Sequence, residues 1–266
     1  MVWGAATEVN HKLFFADAQK VMKTLEDIKY NVRKTYLSAI VAISKGENEK
    51  IVASYHQLMM SDADHYNTEQ KENKMTEHQK ENWMSWADIQ EKRDKLKDRV
   101  WWVFGDANPD RENLLELQKY IITCCYTLIS PRRAKDFAEM KIREYDEAKD
   151  NFYHKGVFTF NDYKTSRFYG KQTVKVPKTL ELMLGRWIKK VPADQEFLFT
   201  DYDGKKLTSS TIGKILISVF KKKVSVNMLR HAYITDSLGP KIKELEDEAK
   251  DMGQSVAQQK LYVKQA

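Results

Sequence analysis

Residues 61–82 read SDADHYNTEQKENKMTEHQKEN and carry almost no aliphatic side chain. Such a stretch cannot bury a core face, so it is either an exposed linker or a solvated helix. Whatever folds on its two sides therefore needs its own core. A chain of 266 residues is long enough for one large domain or two modest ones. The composition break is the best place for a boundary. The expected organisation is a helical unit over 1–60, a polar linker over 61–82 and a larger unit over 83–266.

Upstream of the break, apolar residues recur every three or four positions, the spacing of one helix face. Lys12 to Ile28 places Leu13, Phe14, Ala18, Val21, Met22, Leu25 and Ile28 in this way. Tyr30 to Ser44 repeats the pattern, Gly46-Glu47-Asn48 interrupts it, and a third helix is expected from Glu49 to Met60.

Downstream, Ser85 is a suitable N-cap for a helix from Trp86 to about Lys97. Asn113 to Leu128 is a strongly apolar helix that stops at Ser130-Pro131, and Arg132 to Glu139 reads as a short one. The period then switches. Val157–Phe160 and Thr173–Val176 are strand-like around a polar turn, which predicts a hairpin over about Gly156 to Pro177. Helices are expected again over Lys178–Lys190, Thr211–Phe220, Val226–Ser237, Lys241–Met252 and Val256–Lys264, with a short strand at Phe197–Phe199. Only 10 Gly and 5 Pro agree with a mostly helical chain. The expected class is mainly α with a small β-hairpin or sheet (α+β).

No apolar run approaches the roughly 20 residues that span a bilayer, and Met1 to Asn10 lacks a signal-peptide pattern. No membrane partner is expected. The expected location is inside a cell, in the cytoplasm or nucleus. The net charge of +7 permits a nucleic-acid partner without establishing one. The two adjacent cysteines, Cys124 and Cys125, suit buried thiols in a helix better than a disulfide or metal site. There is no phosphate-cradling glycine loop, paired-cysteine spacing or HExxH, and the six histidines are scattered. These absences speak against nucleotide-driven or metal-dependent chemistry, and no cofactor is expected.

Several separated pieces carry chemistry together. Pro131-Arg132-Arg133-Ala134-Lys135-Asp136 follows an apolar helix. Asn161 to Thr165 sits at the turn of the hairpin. Asn227-Met228-Leu229-Arg230-His231 opens a helix, and Met252-Gly253-Gln254-Ser255 precedes Lys260-Leu261-Tyr262. In this order the pieces resemble the tyrosine recombinase (phage-type integrase) family over about residues 83–266. The upstream helical segment resembles that family's core-binding domain in helix content.

The resemblance implies Arg133 as the first catalytic arginine, with Asp136 as its acidic companion and Arg132 as the alternative register. It implies Lys164, or else Lys171, as the hairpin lysine, Arg230 as the second arginine and Tyr262 as the nucleophile. The family's two histidines are replaced, by Asn227 and Gln254. Both keep a neutral hydrogen-bond donor and lose proton transfer. His231 is expected to be a structural hydrogen-bonding residue.

The implied reaction explains the residue types. A phenol oxygen attacks a DNA phosphodiester in line, and negative charge builds on the non-bridging oxygens. Two guanidiniums can hold those oxygens, and arginine does not deprotonate. Lys164 is the best acid for the departing 5′-oxygen. The 3′-phosphotyrosine stores the bond for rejoining without ATP or metal. The implied partners are double-stranded DNA and three further copies of the chain in a homotetramer on DNA. Two alternatives remain open: a type IB topoisomerase-like enzyme, and an inactive DNA-binding relative.

Overall fold

The computed structural model describes residues 17–44, 49–72 and 74–263. The first part of the expected Lys12 helix, the Gly46-Glu47-Asn48 break and Lys264 at the end of the last expected helix lie outside the described residues. The protein is mainly helical with a small antiparallel sheet, and it forms two compact units, Met1–Thr76 and Glu77–Ala266.

In the first unit α1 (Ala18–Thr24), α2 (Tyr30–Ile43) and α3 (Glu49–Glu72) enclose a small core of Val21, Leu37, Ile40 and Tyr55. Asp17 caps α1 by accepting from the Lys20 N–H at 3.0 Å. The polar stretch at 61–82 is helical over 61–72, where it continues α3, and again in α4 (Glu77–Asn82). The physical reason lies in α2. Arg33 donates to both carboxylate oxygens of Asp62, at 2.6 and 2.8 Å, and Asp62 is buried beneath it. A bidentate pair of this kind substitutes for the missing aliphatic contacts.

The second unit is built around α6 (Arg111–Thr127). Every residue from Gln118 to Thr127 except Lys119 is buried, while the first turns of the helix, Arg111 to Glu116, are exposed or half-buried. A helix apolar on all sides must be covered on all sides. It packs against α5 (Trp86–Val100), α9 (Lys178–Lys190) and α10 (Ser209–Phe220). Ser85 and Asp88 form a reciprocal capping box at the start of α5, and Thr208 caps α10. A 3₁₀ turn, Trp101–Phe104, follows α5. Gln118, a buried polar side chain of α6, is paired at both ends: its amide nitrogen donates to the Thr200 carbonyl at 2.8 Å and its oxygen accepts from the Thr200 N–H at 3.0 Å.

The sheet has three strands in the order β1 (Phe152–His154), β2 (Val157–Phe160) and β3 (Gln172–Lys175), all antiparallel. Lys155 and Gly156 join β1 to β2 with φ of 44° and 80°, the tight-turn geometry that matches strand twist. Phe158 and Phe160 share one face, are fully buried, and pack edge-on against Phe137 of α7 (Ala134–Ala138). The expected strand at Phe197–Phe199 is a single bridge, between Phe197 and Lys141. The chain closes with α11 (Val226–Tyr233), a wide π turn (Ile234–Leu238), α12 (Gly239–Asp251) and α13 (Val256–Tyr262). No helix among the described residues is long and apolar enough to cross a membrane.

Candidate active site

Ser130-Pro131 ends the α6 region, because the residue before proline is disfavoured in helical conformation. The chain re-enters a helix at α7, with Arg133 as its extended N-cap residue. The adjacent Arg132 is locked in place. Its Nε donates to Asp136 Oδ2 at 2.9 Å and its Nη1 to Gln172 Oε1 at 3.1 Å. Its guanidinium also lies 3.8 Å from the centre of the Phe160 ring. Two of five N–H donors are thereby used, and the plane is fixed from three directions. The Asp136 side chain is only 4% exposed, and its Oδ1 has no hydrogen-bond partner among the described residues. Burial holds the Asp136 carboxyl above its ordinary range, and the charge and hydrogen bond of Arg132 pull it back.

Arg230 comes from α11. Ser225 caps that helix by accepting from the Met228 N–H at 3.2 Å. Val226, Met228, Leu229 and Ala232 face the core, which leaves Arg230 half-buried on the shoulder. One turn on, the Tyr233 ring packs edge-on to Trp86 at 5.1 Å, and its hydroxyl accepts from Ser130 Oγ at 3.1 Å. Asp236 in the π turn accepts from the Trp86 N–H at 2.6 Å. The helix bearing Arg230 is therefore fastened both to α5 and to the loop bearing Arg132 and Arg133.

Arg132, Arg133 and Arg230 line one open cavity of about 360 Å³ together with Asp136. Tyr163, Thr165, Tyr169, Gln172 and Val174, from β2–β3 and their connection, form the other wall. The guanidiniums of Arg133 and Arg230 make no hydrogen bond or ion pair among the described residues, so three cations face one carboxylate. A site with this excess of N–H donors is suited to an anion with several oxygens, such as a phosphodiester.

The other expected residues lie elsewhere. Lys164 is exposed between two residues of the cavity wall, Tyr163 and Thr165, but does not line the cavity; Lys171, next to Gln172, is exposed as well. Asn227 is exposed on α11, one turn before Arg230. Gln254 is half-buried after α12, its amide nitrogen 3.6 Å from Met252 Sδ. Tyr262, the last residue of α13, is 67% exposed and outside the cavity lining. His231 is exposed, and its ring makes no hydrogen bond among the described residues, so the structural role expected for it is not seen. The cavity thus brings together Arg133 and Arg230 with Arg132, and leaves Lys164, Asn227, Gln254 and Tyr262 outside.

Gln172, Tyr163 and Tyr169 were not expected in the site. Gln172 had one legible signal: it alternates with Val174 on the face of β3 that pairs with Phe158 and Phe160.

No protein-family model matches this chain, and no curated protein matches it. Among solved structures, the crystal structure of XerA recombinase is similar at a TM-score of 0.41 and 13% identity, over 88% of this chain and 78% of that one.

Proposed function

We propose that this protein is a site-specific DNA recombinase or integrase that cuts and rejoins duplex DNA through a 3′-phosphotyrosine. The observation that carries this reading is the meeting of Arg133 and Arg230, from distant parts of the chain, in one cavity with unpartnered guanidiniums. In the proposed reaction the scissile phosphate sits in that cavity. The Tyr262 oxygen bonds to phosphorus while the bond to the 5′-oxygen breaks. Lys164 gives a proton to the departing 5′-oxygen, and the phenol proton passes to water. Arg133 and Arg230 hold the two non-bridging oxygens, where each well-aimed donor contributes about 3 kcal/mol to the transition state. Asn227 and Gln254 supply further hydrogen bonds to the same phosphate. The reading includes a helical unit at 1–60 that grips DNA, a linker over 61–82, a catalytic unit at 83–266, a homotetramer on DNA, and action inside a cell.

Nicked suicide substrates test it. The wild type is expected to trap a covalent protein–DNA adduct that Tyr262→Phe abolishes. Absence of an adduct on every duplex recovered by binding selection would overturn it. A second reading, DNA binding without cleavage, is favoured by Asn227 and Gln254 standing where the family resemblance has histidines; it predicts binding with no adduct. Relaxation of supercoils without site preference would instead support topoisomerase-like action.

A further inference from the structure

We infer that the tip of the β2–β3 connection is an aromatic wedge that enters duplex DNA beside the phosphate held by the arginine cavity. The inference rests on the DNA reading of that cavity and deepens it.

The connection closes on a short helical turn, α8 (Ser166–Tyr169). Its last two residues, Phe168 and Tyr169, are 86% and 70% exposed. Two adjacent large rings in water contribute little to the fold, because burial is what makes such surface stabilising. Yet the tip is firmly built. The Thr165 carbonyl accepts from the N–H groups of Phe168 and Tyr169 at 3.1 and 3.2 Å. The Gly170 N–H donates to the Ser166 carbonyl at 2.8 Å, and the Gly170 carbonyl accepts from the buried Tyr163 hydroxyl at 2.7 Å. Gly170 has φ 63° and ψ −160°, a conformation that side-chain-bearing residues avoid. The backbone that carries the rings is already ordered, so contact costs only their own rotamer freedom.

Two further features select the partner. Tyr169 also lines the arginine cavity, so the tip is continuous with the phosphate site. Lys164, Arg167 and Lys171, all exposed, flank the rings along the chain with positive charge. An apolar protein surface would meet those cations unfavourably, whereas a duplex offers phosphates to them and a base step to the rings. Apolar side chains that part a base step and bend the duplex are a recurring device of minor-groove binding, and stacking on a base depends little on its identity.

The test uses two short fluorescein-labelled duplexes of one sequence, fully paired or with a single central mismatch. A mismatch lowers the cost of parting the step. The full-length wild type is expected to bind the mismatched duplex roughly tenfold more tightly, and the Phe168→Ala/Tyr169→Ala variant to bind both alike. A Phe168→Trp/Tyr169→Trp variant is expected to keep the preference. Equal binding of the two duplexes by the wild type, or an unchanged preference in the double alanine variant, would overturn the wedge and leave the DNA reading standing. Failure of the wild type to bind either duplex at low salt, or binding that salt does not weaken, would overturn the DNA reading and the wedge with it.

Discussion

Ser130 Oγ donates to the Tyr233 hydroxyl at 3.1 Å, joining residues 103 positions apart. The bond links the loop that carries Arg132 and Arg133 to the helix that carries Arg230. Tyr233→Phe keeps the ring against Trp86 and removes only the acceptor. It is expected to slow DNA cleavage severalfold while changing stability by no more than about 1 kcal/mol. Single-turnover cleavage beside thermal melting checks this; unchanged cleavage would show that the bond does not align the arginines.

Arg133→Ala and Arg230→Ala are each expected to lower cleavage by about a hundredfold or more and to leave binding largely intact. Lysine is not expected to rescue either, because an ammonium cannot hold two phosphate oxygens in one plane. Adduct formation and gel-shift affinity, measured side by side, separate the two effects. Wild-type cleavage by Arg133→Ala would move the role to Arg132.

Arg132→Gln is expected to act mainly on stability. It leaves Asp136 charged, buried and without its counter-ion, a loss of about 3 kcal/mol at neutral pH. The pH dependence has a definite sign. The Asp136 carboxyl is already held above its unfolded value by burial, and losing Arg132 pushes it higher. The buried charge therefore penalises the variant above that raised value, and the penalty fades as the pH falls through it. Urea unfolding at neutral and mildly acidic pH should show the gap to wild type narrowing on acidification.

Tyr126→Phe is expected to be neutral or stabilising by about 1 kcal/mol. The Tyr126 hydroxyl is buried with no hydrogen-bond partner among the described residues, so its removal relieves a desolvation cost. A clear drop in melting temperature would reveal a partner for that hydroxyl.

The two thiols are expected to resist alkylation in the folded protein. Burial pushes the Cys124 thiol up to about 12 and the Cys125 thiol well above its ordinary value, and the thiolate is the reactive form. Iodoacetamide labelling followed by mass measurement should find neither modified natively and both modified in denaturant.

The helices were legible because their signals are local. Ser85, Thr208 and Ser225 cap helices within one turn of themselves, and Pro131 marks a boundary by its own sterics. Arg133 and Arg230 stood out only through the family resemblance, which rests on the short strings that hold them, Pro131 to Asp136 and Asn227 to His231. What sequence could not display was contact across distance. Arg132 is fixed by Gln172, a partner 40 positions away. Asp62 looked like part of a solvated stretch until Arg33 met it from another helix. Strand β1 is three residues long, too short for alternation to register. The aromatic tip escaped because Phe168 and Tyr169 look like ordinary core material, and only their exposure shows otherwise.

The π turn at Ile234–Leu238 lies between Arg230 and α13, which ends at Tyr262. The turn's backbone closes i→i+5 rings instead of i→i+4, so it holds one residue more than an α-helical turn, and deleting one position there would let the chain run on as plain α-helix into α12 and the α13 segment packed on it. This single loosened coil is a spare residue wound into the helix: one unit of length can be lost there with the least disturbance, provided Asp236 keeps its hold on the Trp86 N–H.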